Sequence, residues 1–86
     1  MTSQWSYDPK RIGRRIRMFR RKEGMSQQNL GEKLGVSYQQ VQKYESGKNR
    51  ISAEKLILVA QVLDIPIHVL MGFQSDDALY PETLYA

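Results

Sequence analysis

The chain has 86 residues, a net charge of +4, no cysteine and one histidine. This length allows one small domain with a modest core, and the lack of cysteine excludes disulfides and thiolate metal sites and favours a cytoplasmic location. With one histidine we expect no zinc site, no metal and no other cofactor. No apolar run approaches the ~18 residues of a membrane span, and the N-terminus lacks the apolar segment of a signal peptide.

The charge is unevenly distributed along the chain. Residues 9–50 contain twelve Lys or Arg and three Glu, whereas residues 51–86 contain one Lys and five acidic residues. Eight of the basic residues lie between Lys10 and Lys22. One basic and one acidic half favour a polyanion-binding face on one side of the domain, with a solvated basic helix as the simpler alternative.

The first two predicted helices are marked by their ends. Pro9 suits the first turn of a helix with Asp8 as N-cap, and Gly24 ends that helix. A second, short helix begins after Ser26 and stops at Gly35. The inward positions of these two helices, at helical spacing, are Ile12, Ile16, Phe19, Leu30 and Leu34.

Three more short helices complete the predicted fold. The third follows the N-cap Ser37 and ends at Gly47, and the fourth follows Ser52. Pro66 opens a fifth helix that Gly72 closes. We see no strand pattern, so the fold class predicted is all-α, a compact bundle of five short helices in one domain.

The third helix is unusual because it offers little to a core. Its sequence, YQQVQKYES, places Val41 and Tyr44 on one side and mostly polar residues on the other. With the second helix and the short turn Gly35–Ser37, it forms a helix-turn-helix. Gly31 is small where the two helices cross, and Gly35 permits the positive φ of a tight turn.

These segments resemble the Xre, or phage repressor/Cro-type, helix-turn-helix family. The resemblance covers residues 10–72 and rests on the "LGVS" turn, the "YESGKNRIS" segment after the third helix and the closing "LDIPIHVLMG". Gly31 departs from the family pattern, in which alanine is usual, at a cost of about 1 kcal/mol in helix propensity. The resemblance implies a lambda-repressor-like DNA-binding domain over residues 9–73, with an arm at 1–8 and a tail at 74–86.

The resemblance also implies which residues touch DNA. The third helix becomes a recognition helix in the major groove, where Gln matches the edge of adenine and Lys that of guanine. The base-reading residues are then Tyr38, Gln39, Gln42 and Lys43. The residues expected on the DNA backbone are Ser26, Gln27, Ser37, Ser46, Lys48, Asn49 and Arg50.

Not every basic residue of the first helix is expected to contact DNA. By family position, Arg20 forms a structural, half-buried ion pair with Glu45. Five other cations of this helix are interpreted as contributors to the long-range electrostatic field or as solvated surface residues: Arg14, Arg15, Arg17, Arg21 and Lys22.

Family members of this size bind two half-sites as a twofold dimer, so we expect a homodimer. The apolar residues left over after the core is assigned supply the predicted contact: Ile57, Leu58, Val69, Met71, Phe73, Leu79 and Tyr80. The alternative is that the arm and tail fold back over the fourth helix of their own chain.

The predicted function is a sequence-specific, double-stranded DNA-binding transcriptional regulator in the bacterial cytoplasm and nucleoid, with repression favoured over activation. An antitoxin-type regulator that holds a toxin partner through its tail is the first alternative. A protein-interaction or RNA-binding module is the second, although aromatic stacking platforms are missing. No acid/base pair, nucleophile–histidine set or phosphate loop is present, so an enzyme is not expected.

Overall fold

The computed structural model describes residues 7–72, and within that range it contains helices and no strand. In chain order the helices are α1 (Pro9–Lys22), α2 (Gln27–Leu34), α3 (Tyr38–Ser46), α4 (Ala53–Leu63) and α5 (Ile67–Met71). The predicted all-α fold of five short helices is therefore confirmed. The arm before Tyr7 and the tail after Gly72 lie outside the described residues, and the domain boundaries stay a prediction.

The helix ends follow from local side-chain chemistry. The hydroxyls of Ser26, Ser37 and Ser52 each accept a hydrogen bond from the backbone N–H three residues later, at 2.9–3.1 Å. Asp8 does the same for α1 through its carboxylate. These side chains satisfy N–H groups that the first turn of a helix cannot pair, which is why the helices begin at these positions.

The C-terminal end of α4 is capped by an aspartate. α4 ends at Asp64, whose φ of 56° is the one positive value at a non-glycine residue between Tyr7 and Gly72. Aspartate tolerates this conformation better than most residues because its short polar side chain can bond locally. The sequence gives no unambiguous signal for such an end, since aspartate is also common inside turns.

The core is shared by all five helices. Every inward position predicted for α1 and α2 is buried, and so is Val41 on α3. On α4 the buried face consists of Leu56, Val59, Ala60 and Leu63. Within residues 7–72 the buried apolar residues form one cluster: Ile12, Ile16, Met18, Phe19, Leu30, Leu34, Val41, Ile51, Leu56, Val59, Ala60, Leu63, Val69 and Leu70. This single cluster fixes α3 against α1 and α2, so the orientation of α3 is set by the fold as a whole.

Two glycines allow α3 and its preceding turn to approach other helices closely. A Cβ on Gly31 would lie 2.7 Å from the carbonyl oxygen of Val36, and one on Gly13 would meet the backbone carbonyls of Tyr44 and Glu45. The obstacle in both cases is backbone, which cannot rotate away. The approach at Gly31 explains why glycine replaces the alanine of the family pattern despite its lower helix propensity.

Several cations hold backbone carbonyls instead of facing solvent. Arg15 is 1% exposed, and its Nε donates to the carbonyl of Val69 at 2.8 Å. Arg11 Nη2 donates to the carbonyl of Gly72, also at 2.8 Å. The prediction that Arg15 contributes to the long-range electrostatic field or lies on the solvated surface is therefore wrong. The last carbonyls of a helix lack intrahelical partners and attract cations, and α5 packs directly against α1.

Candidate nucleic-acid interface

The geometry of α2 and α3 is that of a helix-turn-helix. They are joined at Gly35, which has φ 75°, and the hydroxyl of Ser37 then caps α3. Leu30 and Leu34 on α2 and Val41 on α3 are buried between the helices. The turn and these contacts leave one face of α3 pointing away from the domain.

The outward face of α3 is polar and exposed. Tyr38, Gln39, Gln42 and Lys43 are all exposed, and Tyr38 retains 47% of its surface as the largest apolar group on this face. Tyr38 and Gln39 lie in the first half of the helix, which is the half that a recognition helix presents to base edges, and Gln42 is the central residue. The structure therefore brings together the four residues predicted from the sequence to read bases, and they remain proposals for that role.

The opposite face of α3 is fixed by a buried ionic network. Arg20 Nε lies 2.6 Å from Glu45 Oε2 and Arg20 Nη2 lies 3.1 Å from Oε1, so the guanidinium grips the carboxylate with two donors. The third donor, Arg20 Nη1, bonds the carbonyl of Met25 at 2.6 Å. Bidentate pairing of this kind is strong and directional. It ties α1 to the end of α3 and to the loop before α2.

Gln27 belongs to the same network. Its Nε2 donates to Glu45 Oε1 at 3.0 Å, and the residue is half-buried. A buried carboxylate needs several donors, and the amide of Gln27 supplies one that the arginine does not. The side chain of Gln27 is thus engaged inside the domain, while its backbone N–H remains in the unpaired first turn of α2, and its contact with the DNA backbone stays a prediction.

Two helix N-termini lie at the edges of the outward face. Ser26 precedes α2 and Ser37 precedes α3, and both residues are exposed. Each hydroxyl accepts from its own helix and keeps its proton for another acceptor. Helix N-termini attract anions because unpaired N–H groups and the helix dipole point outward there.

The segment after α3 lies beside the outward face of that helix, at the end opposite to Ser37. Ser46, Lys48, Asn49 and Arg50 are exposed, and the Asn49 N–H donates to the carbonyl of Lys43 at 3.2 Å, which folds the segment back onto α3. The next residue, Ile51, is 6% exposed and anchors the segment in the core. We call residues Gly47–Ser52 the exit loop.

The predicted dimer residues are divided by the structure. Ile57 is 52% exposed, and Leu58 and Met71 are partly exposed. Val69 is 2% exposed and packs in the core, so its assignment to the dimer contact is wrong. Val69 faces the core because α5 packs against α1 and α4, and Arg15 of α1 holds the Val69 carbonyl. Phe73, Leu79 and Tyr80 lie outside the described residues, as does the tail proposed to hold a toxin.

The described part of the chain offers neither a metal-binding cluster nor a membrane-spanning helix. Between Tyr7 and Gly72, no group of three or more His, Cys, Asp or Glu side chains is placed to hold a metal ion. None of the helices in the same range has the length and apolar character required to cross a membrane.

The fold and the outward face of α3 define a helix-turn-helix domain, and comparison with known proteins agrees. The family described as Helix-turn-helix matches residues 16–70. The chain belongs to this family, and the predicted Xre-type resemblance is confirmed.

The relatives carry regulatory names. The chain is 50% identical over 56 residues to an uncharacterized HTH-type transcriptional regulator of Sinorhizobium medicae, matching 65% of this chain and 40% of that protein. It is 40% identical over 77 residues to an uncharacterized transcriptional regulator in the ATPase CF(0) region of Rhodospirillum rubrum, and the match covers 84% of this chain and 71% of that protein. The chain thus spans about two fifths of the length of the Sinorhizobium relative.

A solved structure also matches. The restriction-modification controller protein C.AhdI of Aeromonas hydrophila superposes with a TM-score of 0.69 at 30% identity, covering 73% of this chain and 91% of that one. These relatives are named as regulators and a controller, a non-enzymatic class, which agrees with the expectation that the chain is not an enzyme.

Proposed function

We propose that this chain is a sequence-specific, double-stranded DNA-binding transcriptional regulator. The observation that carries the proposal is the two-sided character of α3. Val41 and Glu45 are buried and hold the helix in place, while Tyr38, Gln39, Gln42 and Lys43 are exposed together on the other side. A helix held this firmly with a polar outer face is suited to enter a major groove.

The base contacts follow from the donors and acceptors on that face. The amides of Gln39 and Gln42 can each donate and accept, which matches the N6/N7 edge of adenine. Lys43 donates to guanine O6 or N7, and the ring of Tyr38 fits against a thymine methyl group. Each good base contact is worth about 1–3 kcal/mol of discrimination between sequences.

The backbone contacts come from both flanks of α3. On one side, phosphates meet the N-termini of α2 and α3 at Ser26 and Ser37, where Gln27 contributes its backbone N–H. On the other side, Ser46 and the exit-loop residues Lys48, Asn49 and Arg50 contact the next stretch of backbone. Such contacts fix the register of the protein on the duplex and carry no sequence information.

The regulator acts as a homodimer in this proposal. Ile57 and Ile67, which is 37% exposed, line a groove of about 430 Å³ between α4 and α5. Exposed apolar surface of this kind is typical of an interaction site. A twofold dimer through Ile57, Leu58 and Met71, extended by Phe73, Leu79 and Tyr80, places two recognition helices ~34–36 Å apart on one operator.

Repression is the mode of regulation that we propose, acting at DNA in the bacterial cytoplasm. A domain that occupies about one to two turns of duplex can block access to a promoter without any further activity. The relatives named transcriptional regulators support the regulatory role.

A competition experiment tests the class of ligand. The protein is titrated into equal mixtures of labelled duplex DNA, duplex RNA and single-stranded DNA of random sequence. We expect duplex DNA to be retained first, with an affinity that falls steeply as salt is raised, since phosphates dominate non-specific binding. Equal or stronger retention of either competitor would contradict the proposal and favour the RNA-binding alternative.

A further inference from the structure

Tyr7 lies against the exit loop, more than forty positions away in sequence. Its ring faces the guanidinium of Arg50, whose Cζ is 4.6 Å from the ring centroid. Its hydroxyl oxygen accepts a hydrogen bond from the Ile51 N–H at 3.1 Å. One side chain at the start of the described fold therefore contacts two consecutive residues of the segment that follows the recognition helix.

We propose that Tyr7 is a positioning residue that holds Arg50 ready for a DNA phosphate. This inference rests on the proposed function and adds to it a residue outside the helix-turn-helix. The substrate class is the phosphodiester backbone of duplex DNA. Tyr7 acts through Arg50 and does not itself touch the nucleic acid.

The stacked arrangement suits this purpose because of how a guanidinium uses its faces and edges. The N–H donors of arginine lie in the plane of the group, whereas an aromatic ring engages the face of the plane. Stacking on Tyr7 therefore leaves the donors available. Within residues 7–72 no hydrogen bond is made by the Arg50 guanidinium, and the residue is exposed.

Other arginines of the domain show the contrast. Arg20 has donors on both Glu45 oxygens and on the Met25 carbonyl. Arg11 and Arg15 each donate to a carbonyl of the α5 end. Their donors are used inside the protein, whereas Arg50 is held by its face only. Since a free arginine side chain has many rotamers to lose, fixing it in advance lowers the entropy lost on binding phosphate.

The hydroxyl of Tyr7 fixes the backbone beside Arg50. Ile51 is buried and its N–H lies outside any helix, so that it needs a partner that the loop does not supply. Tyr7 provides the acceptor, and the partly buried ring packs against the core. Tyr7 thus holds the loop through a hydrogen bond at Ile51 and through a stacking contact at Arg50.

The test measures affinity for random-sequence duplex DNA across a range of salt concentrations. Tyr7→Leu removes the ring face and the hydroxyl, and Tyr7→Phe removes the hydroxyl alone. Both are made with Arg50 intact and with Arg50→Gln, and all are assayed at a temperature at which melting curves show the fold intact. Val62→Ala, at the far end of α4 and partly buried against the core, is the control for a general loss of packing.

With Arg50 intact we expect Tyr7→Leu to weaken binding roughly two- to tenfold and to lower the salt slope by up to about one unit. Tyr7→Phe should bind nearly as the parent does, although its melting temperature falls by roughly 4–8 °C. In the Arg50→Gln background the Leu and Phe variants should bind alike, and Val62→Ala should leave DNA affinity unchanged.

Two results would overturn the inference while leaving the proposed function in place. One is parent-like binding by Tyr7→Leu, and the other is the same loss from Tyr7→Leu whether or not Arg50 is present. If the parent itself does not bind duplex DNA, the proposed function fails first, and the positioning role fails with it.

Discussion

The arginine-rich helix α1 and the segment formed by α3 and the exit loop differ in how they use charge. α1 holds eight of the thirteen Lys and Arg residues, yet Arg11, Arg15 and Arg20 donate to groups inside the protein. α3 carries one lysine, and the exit loop carries Lys48 and Arg50, all three exposed. The density of positive charge in a sequence therefore does not show which cations are available, because burial commits some of them to partners inside the protein and leaves others of the same helix, such as Arg14 and Arg17, exposed.

The largest expected effect comes from breaking the network that joins these two regions. Arg20→Met should destabilise the fold by about 3–5 kcal/mol, since the Glu45 carboxylate stays buried without its bidentate partner. Chemical denaturation of the purified variant measures the change in free energy of unfolding. Arg17→Met, at an exposed position of the same helix, is the matched control and should unfold as the parent does.

The contact between the two regions can also be strained without changing any charge. Gly13→Ala should destabilise by about 1–3 kcal/mol because its Cβ meets the carbonyls of Tyr44 and Glu45. Helix propensity alone predicts the opposite sign, with a gain of about 1 kcal/mol for alanine. A raised melting temperature in Gly13→Ala would show that α1 and α3 are less closely packed than described.

On the outward face of α3, single substitutions should alter binding and leave stability unchanged. Gln39→Ala is expected to weaken the preferred DNA site by about 1–3 kcal/mol with little effect on random DNA. The reason is that Gln39 is exposed on the outward face and makes no contribution to the core. Fluorescence titrations on both DNAs measure this difference, and equal losses on the two would contradict base reading by Gln39.

The smallest effect concerns the exit loop. Arg50→Ala should weaken all sequences alike and reduce the salt slope by about one unit, as expected for the loss of one phosphate contact. Glu54→Ala, an exposed acidic position in the first turn of α4, serves as a control of opposite charge. A changed base preference at an unaltered salt slope would mean that Arg50 has a different role.

The same comparison shows where sequence reasoning succeeds. Helix limits at Pro9, Ser26, Ser37 and Ser52 were predictable because a cap residue and the N–H group that it satisfies are separated by a few positions. The outward face of α3 was predictable for the same reason, since a helical period places Val41 and Gln39 on different sides.

What could not be predicted depends on contacts between distant positions. The helical spacing of Ile12 and Phe19 places Arg15 on the inward face of α1, but Val69, which accepts its hydrogen bond, is 54 positions away and has no local signal. The pair of Arg20 and Glu45 was expected through family resemblance, which already contains tertiary information. The stacking of Tyr7 on Arg50 has no local signal either, because the two residues are far apart in sequence and the predicted N-terminal arm has no assigned contact.

In-vitro selection of duplex DNA from a random library tests the central claim that α3 reads base sequence. We expect enrichment of a twofold-symmetric site whose half-sites are about one helical turn apart, and a shifted or weakened consensus for Gln39→Ala at the positions that α3 covers. Recovery of DNA with no common sequence, or an identical consensus for the parent and Gln39→Ala, would contradict it.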